Sequence, residues 1–273
     1  MLAALLAGCG GEGDRVDRPE PTATPKPRAA IDLRAEPADV AARSSIPILC
    51  YHQIRPVTAA DSAVDRPYIM SPATFRAQLD ALEQAGYRTI TPDQLLAHLT
   101  TGAELPERPV LLSFDDAVDD HYRVVLPELR RRKMTATFFV MTVVLGNQGY
   151  LTRRQVRRLS RAGMTIGAHT WDHHRVDQYG AEDWRTQIDE PVETLEKLAG
   201  KPVRYFAYPF GIWSRDAFSH LRDAGIHAAF QLVERPISFA DPLMTIRRKI
   251  ANPDWSRRDL QQALRGGFRK VGA

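Results

Sequence analysis

The stretch that decides the fold is Leu111-Leu112-Ser113-Phe114-Asp115-Asp116, an apolar run that ends in two adjacent carboxylates. Short apolar runs of this kind recur along the chain and alternate with amphipathic segments of helical periodicity. Such runs indicate buried strands, and their alternation with helices indicates a parallel sheet built from βα units. The predicted strands are 46–51, 87–90, 110–114, 136–141, 165–169, 204–208 and 227–232.

The segments between these strands carry helix start and stop signals. Ser71 and Thr91 each precede a proline, which suits an N-cap followed by the first helical position. Thr152 begins a basic helix, and Gly86 and Gly200 end two others. Six or seven βα units in about 225 residues favour an α/β fold of the (β/α) barrel type over an open doubly wound sheet.

The composition is that of a globular domain. The 273 residues are 44% hydrophobic and 26% charged, which excludes a wholly disordered, collagen-like or multi-span membrane protein. Lysine and arginine number 37 against 33 acidic residues, so the surplus of positive charge is thin. Because no basic cluster is interleaved with aromatic residues, we expect no nucleic-acid partner.

The first 45 residues are predicted to lie outside the fold. Leu6-Ala7-Gly8-Cys9 is typical of a lipobox, so residues 1–9 are interpreted as a lipoprotein signal remnant with lipidation at Cys9. The positive region of a signal peptide is missing, which leaves two alternatives, a start farther upstream or a chance match. Residues 10–45 are proline-rich and lack apolar periodicity, which predicts a disordered tether. The expected protein is extracytoplasmic, either held at a membrane as a lipoprotein or secreted, with its folded domain over residues 46–273.

Polar residues follow two of the predicted strands where chemistry is expected in a parallel α/β fold. Asp115 and Asp116 point to different sides, so one can bind a cation while the other handles a proton. His169 and His173 are four residues apart, which lets two imidazoles converge on one ion, and His174 is an alternative to His173. One carboxylate and two imidazoles bind a divalent cation and leave positions open for water and substrate oxygens.

A third strand ends in Tyr208-Pro209-Phe210-Gly211, where a turn exposes backbone N–H groups. Such an amide can stabilise an oxyanion, and Arg204 at the start of that strand could pair with a catalytic carboxylate. Proline and glycine are also ordinary turn residues, so this segment is weak evidence by itself.

In this order, the three segments resemble the motifs of the polysaccharide deacetylases of carbohydrate esterase family 4, the NodB-like proteins. The family patterns TFDDG, H-[ST]-x-x-H and R-x4-P-[FY] correspond to residues 113–117, 169–173 and 204–210. The resemblance implies a distorted (β/α)7 barrel that removes acetyl groups from N-acetylated sugars with the help of a divalent metal. That metal is expected to be zinc, with nickel, cobalt or iron as alternatives.

The resemblance also implies roles for individual residues. Asp115 would be the general base, Arg204 would orient it, and the backbone amide of Phe210 would contribute to the oxyanion hole. The residues implied as metal ligands are Asp116, His169 and His173.

The sequence departs from the family patterns at two places. Ala117 replaces the glycine of the first motif, and no histidine follows His227 to serve as the usual acid. His52 ends the first predicted strand, as in the permuted branch of poly-N-acetylglucosamine deacetylases, and is the candidate general acid. His98 and His121 are predicted to be surface groups.

Three functions stay open from the sequence alone. The first is a metal-dependent N-deacetylase of poly-N-acetylglucosamine, peptidoglycan or a chitin-type glycan, working as a monomer. The others are an inactive glycan-binding lipoprotein on the same fold, and a metal-dependent hydrolase of another amide or ester.

Overall fold

Seven parallel strands close into a barrel in the computed structural model, which describes residues 33–232 and 236–265. Within these residues the strands are β1 Ile48–Tyr51, β2 Gln53–Ile54, β3 Ile69–Met70, β4 Arg88–Thr89, β5 Pro109–Phe114, β6 Thr137–Val140, β7 Thr165–Ala168, β8 Tyr205–Ala207, β9 Ala228–Leu232 and β10 Ile246–Ile250. The helices are α1 Pro37–Arg43, α2 Pro72–Gln84, α3 Pro92–Thr101, α4 Leu126–Arg131, α5 Arg153–Arg161, α6 Glu190–Ala199, α7 Asp216–Asp223 and α8 Arg257–Arg265. Short π-helical turns, His121–Val125 and Arg185–Asp189, precede α4 and α6.

Strand β1 closes the barrel because it pairs with two strands. It lies parallel to β5, with Ile48 opposite Leu111, and parallel to β10, with Leu49 opposite Lys249. The remaining barrel strands follow in the order β10, β9, β8, β7, β6 and β5, and β4 extends β5 outside the ring. The predicted (β/α) barrel is thereby confirmed.

Strand β10, which completes this ring, was not predicted from the sequence. The middle of β10 is Arg247-Arg248-Lys249, and three consecutive cations do not match the apolar pattern of a buried strand. Only the flanking Ile246 and Ile250 carry the strand signal. Strands β2 and β3, which pair to form a separate two-stranded sheet, were also not predicted.

The predicted helix starts are confirmed by hydrogen bonds. The hydroxyl oxygen of Ser71 accepts from the N–H of Thr74 at the start of α2. Thr91 and Thr152 begin α3 and α5 with full capping boxes, in which each threonine and a glutamine three residues later bond each other's backbone N–H groups.

The barrel interior changes from apolar to polar along its axis. Alternate residues of each strand point inward, and Ile48, Leu111 and Ile246 form an apolar cluster that continues into α1 and α3. Farther along the same strands, the inward positions are Cys50 in β1 and Arg248 in β10. The polar end of the barrel therefore coincides with the carboxyl ends of the strands.

Helix α1 corrects the predicted limits of the tether. Residues 37–43 form a helix rather than disordered chain, because Val40 is buried against the apolar cluster and the Arg43 guanidinium donates to the carbonyl of Leu99. The folded part therefore begins before residue 46. Cys9 and the rest of the predicted tether up to residue 32 lie outside the described residues. Within the described residues, no helix combines the length and apolar character needed to cross a membrane.

Gly167 in β7 leaves room for a neighbouring aromatic ring inside the barrel. A Cβ at this position would lie 2.5 Å from Cδ1 of Phe139 and 2.9 Å from the carbonyl oxygen of Tyr205. The ring of Phe139 in turn lies 5.1 Å from the guanidinium carbon of Arg248. Because Gly167 has no side chain, the ring of Phe139 can lie against β7 and beneath the guanidinium of Arg248.

We expect Gly167→Ala to lower the free energy of unfolding by about 1–3 kcal/mol, because the new methyl group overpacks the barrel. Guanidinium chloride denaturation measures this loss. The matched control is Gly180→Ala, where the nearest atom to the new Cβ, a carboxylate oxygen of Asp183, is 3.7 Å away. Equal stability of the two variants would contradict the packing argument.

Candidate active site and metal centre

A buried ion pair lies at the centre of the polar end of the barrel. The guanidinium of Arg248 donates from Nη1 to Oδ1 of Asp115 at 2.7 Å and from Nη2 to Oδ2 at 2.8 Å. Arg248 is 1% exposed and Asp115 is 3% exposed. The thiol of Cys50 donates to the same Oδ2 at 3.4 Å, and Ser113 accepts a further bond from Arg248. A two-point guanidinium–carboxylate contact fixes the orientation of the carboxylate.

This environment keeps Asp115 ionised. Burial raises its pKa, but the positive charges of Arg248 and His169 outweigh burial, so the pKa lies well below its ordinary value. Burial raises the pKa of the Cys50 thiol well above its usual range, so the sulfur keeps its proton and serves as a donor. Asp115 is therefore an oriented anion at neutral pH.

The prediction that Arg204 orients Asp115 is wrong. Arg204 precedes β8, at the end of the barrel opposite to the carboxyl ends of the strands, and its carbonyl accepts from the N–H of His227 at 2.8 Å. Arg248 takes the predicted role from the unpredicted strand β10. Arg204 was predicted because its spacing from the Pro-Phe turn matches the family motif. The sequence signal for Arg248 was weaker, since it consisted of the alternation of Arg248 with Ile246 and Ile250.

Asp116, His169 and His173 converge beside this ion pair. Their ligand atoms all lie within 4.8 Å of one another. Nε2 of His169 lies 3.4 Å from Oδ1 of Asp116, and Nε2 of His173 lies 3.6 Å from the same oxygen. His174, the alternative, is exposed and belongs to the outer side of the turn, where its N–H donates to Asp172. The structure thus places His173, rather than His174, beside Asp116 and His169.

The donor set fits a divalent cation. Nδ1 of His169 lies 2.7 Å from the carbonyl oxygen of Ala207, and because a carbonyl only accepts, this nitrogen carries the proton. In the neutral ring Nε2 is then left with its lone pair toward Asp116, as in metal-binding histidines oriented by a carbonyl. Oδ1 of Asp116 is a buried oxygen without a hydrogen-bond partner among the described residues.

The protonation states also suit a cation. Burial raises the pKa of Asp116, but the neighbouring imidazoles of His169, His52 and His173 lower it to about 2. Burial and the charge of His169 lower the pKa of His173 to about 4. The pKa of His169 is raised, because the two carboxylates outweigh its burial, and a cation would replace the proton that they attract.

Left-handed backbone conformations gather at this site. Of the non-glycine residues with positive φ among the described residues, five line the turns that carry the site: Asp116, Ala117, Thr170, His173 and Phe210. Ala117 has a φ of 60°, at the position where the family motif has the glycine that this conformation favours. Each such residue destabilises the folded state by about 1–3 kcal/mol, so this conformation persists only where a rigid surrounding fold imposes it.

The remaining candidate residues line one cleft of about 370 Å³ with the ion pair and the triad. The imidazole of His52 contacts the ring of Tyr68 edge to face at 4.9 Å. The Phe210 ring lies 4.5 Å from His173 and is 59% exposed at the rim. His52 and the Phe210 turn therefore face the space in front of Asp115.

His121, predicted at the surface, is fully buried. It lies in the π-helical turn before α4 and contacts the backbone of His52. Because it follows four acidic positions in a polar stretch, the sequence pattern resembled an exposed helix start. His98 is partly buried, and its Nδ1 lies 2.8 Å from the carbonyl of Ala103, far along the chain from the site.

Comparisons with known proteins agree with this geometry. A family model described as polysaccharide deacetylase matches residues 102–229. The poly-beta-1,6-N-acetyl-D-glucosamine N-deacetylase of Staphylococcus aureus (strain MRSA252) is 21% identical over 212 residues, which cover 70% of this chain and 73% of that protein.

Two solved structures share the fold. The Streptococcus pyogenes deacetylase PplD in complex with acetate matches with a TM-score of 0.73 and 25% identity, over 80% of this chain and 97% of that chain. IcaB from Ammonifex degensii matches with a TM-score of 0.66 and 28% identity, over 80% and 97% of the two chains.

Replacing Arg248 should lower the free energy of unfolding more than replacing Arg204 does. We expect Arg248→Met to lower the free energy of unfolding by about 3–5 kcal/mol, because it leaves Asp115 buried without a counter-charge. Arg204→Met, the matched control, should change it by less than about 1 kcal/mol. Adding Asp115→Asn to Arg248→Met should cost less than Asp115→Asn alone. Denaturant titration of the four variants measures these differences, and equal losses at Arg204 and Arg248 would contradict the assignment.

The two neighbouring histidines should differ in metal affinity. We expect His173→Ala to weaken Zn²⁺ binding by at least about tenfold, since it removes one of three converging ligands, and His174→Ala to leave it within about twofold. Isothermal titration of metal-free protein with Zn²⁺ measures both affinities. Weaker binding by His174→Ala than by His173→Ala would reassign the second imidazole.

Proposed function

We propose that this chain is a polysaccharide deacetylase that hydrolyses the N-acetyl groups of an N-acetylglucosamine polymer and releases acetate. The match of the polysaccharide deacetylase family model to residues 102–229 supports the proposal. The observation that carries the proposal is the oriented Asp115 anion beside the converging Asp116, His169 and His173. A carboxylate base next to three converging metal-type donors suits the hydrolysis of an unactivated amide.

Asp116, His169 and His173 would hold the metal, for which we propose zinc because two imidazoles and one carboxylate are among its usual ligands. When bound, the ion supplies Lewis-acid polarisation of the acetyl carbonyl and lowers the pKa of water. The residues described below then act on water, on the oxyanion and on the leaving nitrogen.

Asp115 accepts the proton of the attacking water. Arg248 keeps the carboxylate ionised and fixes the direction of its oxygens, and the Cys50 thiol donates to one of them. The backbone N–H of Phe210, in the turn at the rim of the cleft, is proposed to donate to the oxyanion. Asp115, Arg248 and Cys50 are positioned before substrate arrives, because they are buried in the barrel.

His52 is proposed to protonate the leaving nitrogen. Burial lowers the pKa of His52 below its ordinary value, although the charges of Asp116 and Asp115 act in the opposite sense. An amide nitrogen must gain a proton before it can leave, and an imidazole at the edge of the cleft is suited to provide it. His52 faces the same cleft as the base.

For the substrate we propose poly-N-acetylglucosamine. The proposal is supported by the relative in Staphylococcus aureus named for that polymer, and by the general acid candidate that directly follows the first barrel strand. Tyr68, Trp171 and Phe210 are exposed aromatic residues near the site and offer apolar faces to sugar rings. We also propose, from the sequence alone, that a lipid on Cys9 holds the enzyme at a membrane outside the cytoplasm.

Acetate release from a panel of N-acetylated glycans tests the function. We expect the wild-type protein to release most acetate from β-1,6-linked N-acetylglucosamine oligomers, to stop after chelation, and to recover with added Zn²⁺. Asp115→Asn should lose activity at least 10²-fold, the usual contribution of a general base, while it still binds Zn²⁺.

The control for that variant is Asp119→Asn, which removes a nearby carboxylate that pairs with Arg123 outside the cleft and should leave the rate within about twofold. Full activity of Asp115→Asn would overturn the base assignment. Undiminished acetate release after complete chelation would overturn the metal dependence.

A further inference from the structure

We propose that Asp120 and His121 position the general acid, by holding the backbone on both sides of the residue that follows His52. The inference rests on the proposed function, because it gives His52 the role of acid. Neither side chain reaches the cleft, so both act through the segment at the end of β1.

The His121 ring holds the carbonyl of His52 itself. Its Nε2 lies 2.8 Å from that oxygen, and because a carbonyl only accepts, Nε2 carries the proton and donates it. The ring is fixed in place by Phe114 and Phe138, whose centroids are each 5.5 Å away. A donor packed against two stacked aromatic rings holds its position and so restrains the carbonyl that it contacts.

Asp120 holds the same segment from its other end. Its Oδ2 accepts from the N–H of Ile54 at 3.0 Å, and the residue is buried. Between these two contacts lies only Gln53, so the peptide units on either side of it are both anchored to one turn. This anchoring matters because β2 pairs only with the two residues of β3.

The polar character of the two residues is costly in this place, which argues against a role in packing alone. Nδ1 of His121 and Oδ1 of Asp120 have no hydrogen-bond partner among the described residues. A buried polar atom without a partner destabilises a protein, and an apolar ring could pack against Phe114 and Phe138 in the same position without that cost. The hydrogen bonds to residues 52 and 54 are what the apolar replacement would lose.

The side chain of His52 depends on this support. Its Nδ1 has no hydrogen-bond partner among the described residues, and its ring contact is with Tyr68. The direction of the ring is therefore set mainly by its backbone. Since Asp115, Asp116, Asp120 and His121 lie within seven consecutive residues, one turn fixes the acid relative to the base and to the metal ligand.

The test compares His121→Phe with a matched variant elsewhere. His98→Phe removes the same kind of ring-to-carbonyl contact, also 2.8 Å long, at a distant position. We expect His121→Phe to lower kcat for acetate release from an N-acetylglucosamine pentamer at least about tenfold with KM within twofold, and His98→Phe to match the wild type. His121→Gln, which can still donate to the carbonyl, should recover part of the loss.

Two further measurements separate positioning from a loss of structure. With 4-nitrophenyl acetate, whose phenolate leaves without a proton, the amide-to-ester ratio of kcat should fall about tenfold in His121→Phe. In a His52→Ala background, which itself should be at least about 10²-fold slower on the amide, His121→Phe should have no additional effect. Equal losses on both substrates, or losses that multiply with His52→Ala, would overturn the inference.

A spectroscopic readout keeps this inference distinct from the proposed function. In a ¹⁵N–¹H spectrum of the imidazoles, His121→Phe and Asp120→Ala should shift or broaden the His52 signals, and His98→Phe should not. Unchanged His52 signals would overturn the positioning role even in an active enzyme. A wild-type protein that releases no acetate from any glycan would instead overturn the proposed function, while the His52 signals still report on the anchoring.

Discussion

The ion pair between Asp115 and Arg248 is the interaction on which the rest of the site depends. Taking two charges out of water is unfavourable, and only good geometry with further hydrogen bonds offsets that cost. Here the two-point contact is joined by the Cys50 thiol and the Ser113 hydroxyl. Because β1 pairs with β5 on one side and with β10 on the other, the ion pair can form only when these three strands are in place. The fold and the chemistry are therefore linked at one contact.

The sequence predicted the parts of the site that follow apolar strands and not the parts that break the apolar pattern. Asp116, His169 and His173 follow recognisable strands, and their convergence could be predicted from the geometry of a parallel barrel. Arg248 could not, because it lies inside a strand whose centre is cationic. Its burial is possible only through Asp115, a contact between residues 133 positions apart that no local pattern encodes. His121 was misjudged for a similar reason, since its aromatic surroundings come from β5 and β6.

The turns that carry the metal ligands hold much of the backbone strain of the described chain. Asp116 and His173 both have φ near 70–77°, as glycine would, yet each must keep its own side chain for the chemistry. Ala117 shares that conformation without any such need, and its methyl group is fully buried. The stiffness that sustains these turns comes from the barrel below, including the close contact of Gly167 with Phe139 under the guanidinium.

The position of β10 as the last barrel strand has a consequence for how the protein matures. Synthesis proceeds from the amino terminus, so the base and its neighbouring ligands exist well before residue 248 leaves the ribosome. During that interval the carboxylate has no guanidinium and stays hydrated, and the ring of strands cannot shut. A nascent chain is consequently inert until β10 and α8 dock. Their docking supplies the guanidinium of Arg248 to Asp115 in the same step that completes the ring of strands.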